Sequence, residues 1–141
     1  MFHHLPPSCV DELCSRLRAA TQAPAPIASL NRLMSLGYGV AYHIRCDQLS
    51  AIRNDIAEAF DPLLTPQDRA GWRPHVTIQN KTKPDIAKAL LARLMLEFRE
   101  RPIEIAGLAA WWYDGGPWQP IAAYRFGGGT PMRHPPPLIA G

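Results

Sequence analysis

The residues best suited to chemistry lie together in segment 72–81, which reads Trp-Arg-Pro-His-Val-Thr-Ile-Gln-Asn-Lys. A strand over residues 75–80 would place His75, Thr77 and Gln79 on one face, with the Cα atoms of His75 and Thr77 about 6–7 Å apart. The two intervening apolar residues would pack under a following helix. An imidazole transfers protons near neutral pH, and a hydroxyl donates a hydrogen bond to an oxyanion. The spacing therefore indicates acid–base chemistry on a tetrahedral oxyanion, although a surface histidine on a strand would give the same pattern.

Basic residues flank this strand and could neutralise a phosphate. Arg73 precedes it at the rim, and Lys81 and Lys83 follow it, although a solvated pair leading into a helix explains the lysines equally well. Pro74 lacks a backbone N–H, so the strand after it is expected at an edge or rim of its sheet. The predicted catalytic residues are His75 and Thr77, and the predicted substrate-binding residues are Arg73, Gln79 and Lys81.

Other histidines are weaker candidates for the site. His43 and Arg45 alternate with apolar residues in a strand-like run, and we interpret them as exposed sheet residues, although they could point into a groove. His3 and His4 come just before the first helix, where either could stand in for a missing catalytic histidine.

Four aromatic residues concentrate around one turn near the end of the chain: Trp111, Trp112, Tyr113 and Trp118. Stacking on a nucleobase is one interpretation, but packing of a hairpin against helices is favoured. Adjacent residues of a regular strand face opposite ways, so at most one of Trp111 and Trp112 can line a groove.

The composition excludes several classes of protein. Of 141 residues, 47% are hydrophobic and 19% charged, which excludes disorder for most of the chain, and no apolar run approaches the ~20 residues of a membrane span. The N-terminus does not resemble a secretory signal, so we expect a cytoplasmic protein. Three cysteines without a C-x-x-C pair indicate free thiols, and we expect neither a metal site nor a cofactor. A net charge of +3 tolerates a phosphate-bearing ligand but does not identify a nucleic-acid binder.

The order of elements predicts an α+β fold. Ser8 is expected to cap a first helix, after which strands over residues 27–36 and 40–46 form a hairpin across two glycines. Asp47 is expected to cap a second helix, residues 61–74 are expected to be irregular, and a third helix is expected to start around residues 82–85. A last hairpin joins residues 103–112 to 121–126. The interpretation is a single domain over residues 1–126 with two pseudo-symmetric lobes of mostly antiparallel sheet, followed by a disordered glycine- and proline-rich tail over residues 127–141.

The phrase at residues 73–81 resembles the second signature of the 2H phosphoesterase superfamily, in its 2′-5′ RNA ligase-like branch. The similarity extends over about residues 5–126 and includes three further phrases, at residues 63–68, 37–42 and 115–118. The resemblance implies a metal-independent mechanism in which two His-x-(Thr/Ser) motifs face each other across a groove. One histidine acts as general base and the other as general acid on an RNA-end 2′,3′-cyclic phosphate or a 2′-5′ linkage, and the two hydroxyls hold the phosphoryl oxygens.

The sequence departs from this pattern because His75-Val76-Thr77 is its only His-x-(Thr/Ser). The family's first motif lies on a strand shortly before the first helix, so we expect the first lobe to lack its N-terminal strands. We further expect the parent gene to encode that motif upstream of Met1. Two alternatives follow: a phosphodiesterase with little or no turnover in this form, and a non-catalytic module that binds a phosphate or nucleotide.

Overall fold

Apolar periodicity between proline- and glycine-rich breaks sets the order of helices and strands. The computed structural model describes residues 1–132. Its α-helices are α1 (Val10–Ala20), α2 (Asp47–Ala59), α3 (Pro66–Arg69) and α4 (Pro84–Glu97). Its strands are β1 (Ile27–Ser35), β2 (Val40–Arg45), β3 (His75–Gln79), β4 (Arg101–Glu104), β5 (Gly107–Trp112), β6 (Gln119–Arg125) and β7 (Thr130–Pro131). Helices with two sheets of antiparallel strand pairs confirm the predicted α+β class.

Two compact units divide the described chain. The first unit comprises Met1–Pro26, Gln48–Gly71 and residues 104–132, and the second comprises Ile27–Asp47 and Trp72–Ile103. Each unit is assembled from separate stretches of sequence. The number of units matches the two predicted lobes, but their content differs, because α1 lies in the first unit and the β1–β2 hairpin that follows it lies in the second. The predicted boundary of the domain stays a prediction.

The second unit is built on a four-stranded sheet in the order β3-β2-β1-β4. Helix α4 packs against β1 and β2. At the end of α4 the Phe98 ring stacks on Tyr42 of β2 with 6.0 Å between centroids, and the Arg101 guanidinium lies 4.9 Å from the Tyr42 centroid. The face that carries Tyr42 is thus the helix-covered one. Strand β3 lies at the edge of the sheet, which is where Pro74 predicts it.

The turn of the β1–β2 hairpin fixes the position of β3. Gly37 has a φ of 81°, in the left-handed region that glycine adopts without strain. A Cβ atom at Gly39 would overlap the backbone carbonyl oxygen of Gln79, so the close approach of the turn to the end of β3 requires glycine. The next residues, Val40 and Ala41, are completely buried. The turn therefore contacts the last residue of β3, Gln79, and fixes that end of the strand against the sheet.

The first unit contains the three-stranded sheet β5-β6-β7, with α1 packed against β5 and β6. Its buried apolar residues come from all its parts and include Leu17, Ile56, Phe60, Leu108, Ala123 and Phe126. No helix among residues 1–132 has the length and apolar character needed to cross a bilayer.

Two expectations about helix boundaries and linkers were wrong. Ser8 does not cap α1, because residues Pro7–Cys9 form a 3-10 turn and the N-cap position falls on Cys9. The segment expected to be irregular contains a 3-10 turn, Asp61–Leu63, and the short helix α3. The Thr65 hydroxyl caps α3 by accepting a hydrogen bond of 3.2 Å from the Asp68 N–H, and Pro66 occupies the first helical position, where a missing N–H costs little.

The expected strand over residues 103–112 is two strands in different sheets. The chain leaves β4 after Glu104 and begins β5 at Gly107. Apolar alternation continues through Ile105, so nothing in the pattern marks the change of sheet. Val76 and Ile78 were expected to pack under the helix that follows them, but they are 43% and 38% exposed, because α4 packs mainly against β1 and β2.

The segment expected to be a disordered tail begins with regular structure. Three glycines with positive φ, residues 127–129, turn the chain back, and β7 pairs with the end of β6. The rest of that prediction, residues 133–141, lies outside the described residues.

Candidate functional site

His75 begins β3 with an exposed side chain. Its Nδ1 lies 2.7 Å from the backbone carbonyl oxygen of Arg73. A carbonyl oxygen only accepts, so Nδ1 carries the proton and donates it to this bond. The Nε2 atom of the neutral ring then has a lone pair, and it has no hydrogen-bond partner among residues 1–132. A fixed tautomer with one free nitrogen is what a general base requires.

Thr77 lies on the same face of the sheet as His75. In the β2–β3 ladder His75 is opposite His43 and Thr77 is opposite Ala41. Residues directly opposite each other in an antiparallel ladder project from the same face, and His43 and Ala41 are two residues apart on β2. The Thr77 side chain is also exposed. The structure therefore brings the imidazole and the hydroxyl together on one face, on the side away from Tyr42.

Gln79 does not continue this row, because β3 contains a bulge. The register shifts so that Thr77 is opposite Ala41 while Gln79 is opposite Val40, the adjacent residue of β2. Neighbours on β2 face opposite ways, so the ladder turns Gln79 away from the face of Thr77. The prediction that Gln79 shares this face is thus wrong. Its side-chain Oε1 is buried without a hydrogen-bond partner in the described chain.

The flanking basic residues are exposed at the two ends of β3. Arg73 holds His75 through its backbone carbonyl, and its guanidinium makes no ion pair among residues 1–132. Lys81 sits in the turn after β3 with a φ of 55°, and its N–H donates to the Asn80 side chain over 2.9 Å. Lys83 is exposed immediately before α4. Their charges are available to a ligand at either end of the strand.

His43 is a member of this cluster that sequence reasoning placed among ordinary sheet residues. It lies directly opposite His75 in the ladder and is half-buried rather than exposed. Its Nδ1 is 2.6 Å from Oδ1 of Asn31 on β1. The alternation of β2 indicates which face His43 occupies, but the register that sets it beside His75 depends on the pairing of two strands 30 residues apart.

The surroundings of His43 disfavour its charged form. Burial lowers the pKa of His43 below its ordinary value, and the positive charges of Arg32, His75 and Arg73 lower it further. Because His43 and His75 are directly opposite each other in the ladder, the two imidazoles would repel each other if both were protonated.

Comparison with protein families gives a match over most of the chain. The sequence model of the 2′-5′ RNA ligase superfamily matches residues 1–117, which is most of the chain. The chain belongs to the 2′-5′ RNA ligase superfamily. Comparison with curated proteins and with solved structures gives no match.

The match to the 2′-5′ RNA ligase superfamily includes the phrase that contains His75 and Thr77. It confirms the resemblance inferred from that phrase. It does not single out His43, whose place beside His75 is a finding of the structure alone.

The superfamily match also covers a second histidine cluster, which lies within the first unit. Asp68 is 2% exposed and accepts hydrogen bonds from the His3 N–H at 2.8 Å, His3 Nδ1 at 3.0 Å, the His4 N–H at 3.2 Å and the Thr65 hydroxyl at 3.0 Å. Burial alone would raise the pKa of this carboxyl, but the hydrogen bonds outweigh it and hold the pKa below its ordinary value. A side-chain N–H of Arg53 also donates to the Asp68 backbone carbonyl. His3 is therefore tied to a structural anchor.

The aromatic cluster lies on the β5–β6 hairpin of the first unit. The rings of Tyr113 and Trp118 stack with 4.5 Å between centroids, and both side chains are exposed. Trp111 is half-buried and Trp112 exposed, and both border a cavity of about 370 Å³ within this unit. Both residues therefore line the same cavity, although adjacent residues of a regular strand would not. No cluster of three or more metal-ligating side chains occurs within residues 1–132.

Proposed function

We propose that this protein is a phosphodiesterase that acts on RNA ends or on nucleotides with 2′,3′-cyclic or 2′-5′ phosphodiesters. His75 serves as general acid or base, and Thr77 binds a phosphoryl oxygen. The observation that carries the proposal is the hydrogen bond between His75 Nδ1 and the Arg73 carbonyl oxygen, which leaves Nε2 free on the face of Thr77. Membership of the 2′-5′ RNA ligase superfamily supports the choice of RNA or nucleotide ligands.

The proposed chemistry assigns one proton transfer to His75. As base, Nε2 accepts a proton from the attacking water while the water oxygen bonds to phosphorus, and the bond from phosphorus to the leaving ribose oxygen breaks. As acid, a protonated Nε2 delivers its proton to that leaving oxygen. The Thr77 hydroxyl donates a hydrogen bond to a non-bridging oxygen, whose negative charge grows in the transition state. Arg73 and Lys81 contribute positive charge at the two ends of β3.

The proposal needs neither a metal nor a cofactor, since side chains provide both the proton transfer and the oxyanion contact. We further propose a cytoplasmic location, because free thiols such as those of Cys9, Cys14 and Cys46 stay reduced there.

A second candidate is a non-catalytic module that binds a phosphate or nucleotide. It is favoured by one observation, that the 141 residues contain a single His-x-(Thr/Ser). A general acid or base contributes about 10²–10⁴ in rate, so a site with one histidine should turn over slower by that factor than a site with two.

Hydrolysis of a nucleoside 2′,3′-cyclic monophosphate by the full chain tests the proposal against this alternative. The proposal expects measurable turnover that falls about 10²-fold or more in His75→Ala. Arg45→Gln is a matched control, because Arg45 lies on the same sheet but is paired with Glu100 at 2.6 Å, and it should hydrolyse the substrate as the wild type does. Equal rates in the wild type and His75→Ala would refute a catalytic role for His75. Binding of the nucleotide with no turnover would establish the binding module.

A further inference from the structure

Three basic side chains form a row across the second unit's sheet. His75 on β3 is opposite His43 on β2, and His43 is opposite Arg32 on β1. All three therefore project from the face of Thr77, away from Tyr42. Neighbouring strands lie about 4.8 Å apart, so the row extends about 10 Å from His75 to Arg32. The site around His75 thus continues sideways over two further strands.

A β-bulge on β1 holds the middle of this row in place. Leu30 is opposite Ile44 and Arg32 is opposite His43, so Asn31 is the extra residue. Bulges redirect side chains, and here the Asn31 amide oxygen accepts the proton of His43 Nδ1 over 2.6 Å. The neutral His43 ring consequently keeps its lone pair on Nε2, as His75 does. Two imidazoles of fixed tautomer lie side by side on one face.

The row has no counter-charge in the described chain. The guanidinium groups of Arg32 and Arg73 make no ion pair among residues 1–132. Glu100 on this unit is already engaged by Arg45 at 2.6 Å and by the Ser29 hydroxyl at 2.9 Å. Two arginines and two histidines that form no ion pair among residues 1–132 make a site for an anion rather than for a cation.

We propose that His43 and Arg32 bind a second phosphate next to the one held by His75 and Thr77, so that the preferred ligand is a nucleotide with phosphates on both sides of its ribose. Such a nucleotide occurs at the end of an RNA chain, where the terminal ribose carries one phosphate at the scissile position and another that links it to the preceding residue. The assignment of the first phosphate to His75 and Thr77 rests on the proposed function. The second phosphate position rests instead on the arrangement of Arg32, His43 and His75 on neighbouring strands.

Binding at the second position should take up protons. The groups that face His43 are Arg32 from β1 and His75 and Arg73 from β3, and together with burial they keep its pKa below the ordinary value in the free protein. A phosphate dianion beside the ring favours the imidazolium and raises that pKa. Affinity should therefore increase as the pH falls from above the bound pKa of His43 toward its free pKa, and a bound phosphate should bring a proton with it.

Calorimetric titration of the full chain with adenosine 2′-monophosphate and adenosine 2′,5′-bisphosphate tests the proposal. The bisphosphate should bind about ten- to hundred-fold more tightly, the effect of one charge-assisted contact. Arg32→Gln and His43→Gln should bring that ratio close to one, while the control Arg45→Gln should leave it unchanged. Titrations in buffers of different ionisation enthalpy should show proton uptake that His43→Gln reduces. Because Arg32 is exposed, its variant tests the site even if substitution of half-buried His43 disturbs folding.

A wild-type ratio near one, or a ratio that persists in Arg32→Gln, would overturn the second phosphate position. His75→Gln should weaken both ligands and leave the ratio unchanged. The two proposals can fail separately. If His75→Ala leaves hydrolysis unchanged while Arg32→Gln lowers the ratio of bisphosphate to monophosphate affinity, the catalytic role is refuted and the second phosphate position is retained. Hydrolysis that requires His75, together with equal affinities for the bisphosphate and the monophosphate, would support the catalytic role and refute the second phosphate position.

Discussion

His3 in the first unit and His75 in the second both use Nδ1 in a hydrogen bond, but their partners differ in kind. His3 binds a carboxylate, Asp68, that is almost completely buried and accepts four hydrogen bonds. His75 binds a backbone carbonyl at an exposed strand edge and lies among basic groups. The negative charge of Asp68 is stabilised by hydrogen bonds within the first unit. The basic side chains of His75, His43 and Arg32 form no ion pair with a carboxylate among residues 1–132.

The difference separates a cluster that stabilises the fold from one that can bind a ligand. A buried carboxylate with every acceptor site used contributes to folding and has no capacity for a further partner. Basic groups held close together without a carboxylate reduce stability through repulsion, and an anion relieves that repulsion. Variants in the two clusters should therefore affect different measurements.

The largest expected effect is on catalysis. His75→Gln should lower the rate of cyclic-phosphate hydrolysis by about 10²–10⁴ while the free energy of unfolding changes by less than about 0.5 kcal/mol. The paired variant His3→Gln should do the reverse, with an unchanged rate and a loss of about 1 kcal/mol or less, since the His3 ring is largely exposed and its backbone N–H still reaches Asp68. Urea unfolding and steady-state kinetics on both variants measure this. A rate loss in His3→Gln equal to that in His75→Gln would remove the distinction between the clusters.

The largest stability effect should come from Asp68→Asn. An amide at this position puts an N–H₂ group against donors, so about 2–4 kcal/mol of unfolding free energy should be lost. The affinity of the second unit for adenosine 2′-monophosphate should not change under conditions where the variant is folded. Equilibrium urea unfolding gives the first quantity and calorimetry the second. A fully stable Asp68→Asn would show that the anchor does not depend on the negative charge.

The same carboxyl should make stability depend on acidity. Hydrogen bonds hold the folded pKa of Asp68 below its ordinary value of 3.8, so its contribution is complete above that value and is lost as the pH falls through the folded pKa. Unfolding free energies between about pH 6 and pH 3 should therefore decline toward acid more steeply in the wild type than in Asp68→Asn. Parallel curves for the two proteins would contradict this origin.

A smaller effect is expected from the hydroxyl next to His75. Thr77→Val keeps the shape and β-propensity of the side chain but removes its donor, and it should weaken phosphate binding about ten-fold. Thr77→Ser restores the donor and should recover most of the affinity. Titration with adenosine 2′-monophosphate measures both. If the serine variant binds as weakly as the valine variant, the hydroxyl is not the contact.

The smallest effect should come from the charge after β3. Lys81 is exposed, so Lys81→Gln should weaken phosphate binding only about two- to five-fold, and added salt should reduce the difference. Lys88→Gln on the exposed side of α4 is the control and should bind as the wild type does. A loss in Lys81→Gln that resists salt would mean a direct, desolvated contact.

Local patterns were sufficient to predict much of the second unit. Alternation predicted β2 within one residue, Pro74 predicted the edge position of β3, and the phrase around His75 predicted the family. These features depend on neighbouring residues or on a short motif, so one sequence contains them. The change of sheet after Glu104 was missed because apolar alternation continues across it.

The sequence by itself determined the α+β class, the family and the pairing of His75 with Thr77 on one face, because alternation and motif spacing are properties of a single strand. Only the tertiary structure decided that His43 lies beside His75, that Gln79 turns away, and that His3 belongs to a buried carboxylate. Each of these depends on the register between strands or on contacts between distant segments. A bulge at Ile78 or Asn31 changes which side chains meet without changing the apolar pattern of the strand, so no periodicity in the sequence reveals it.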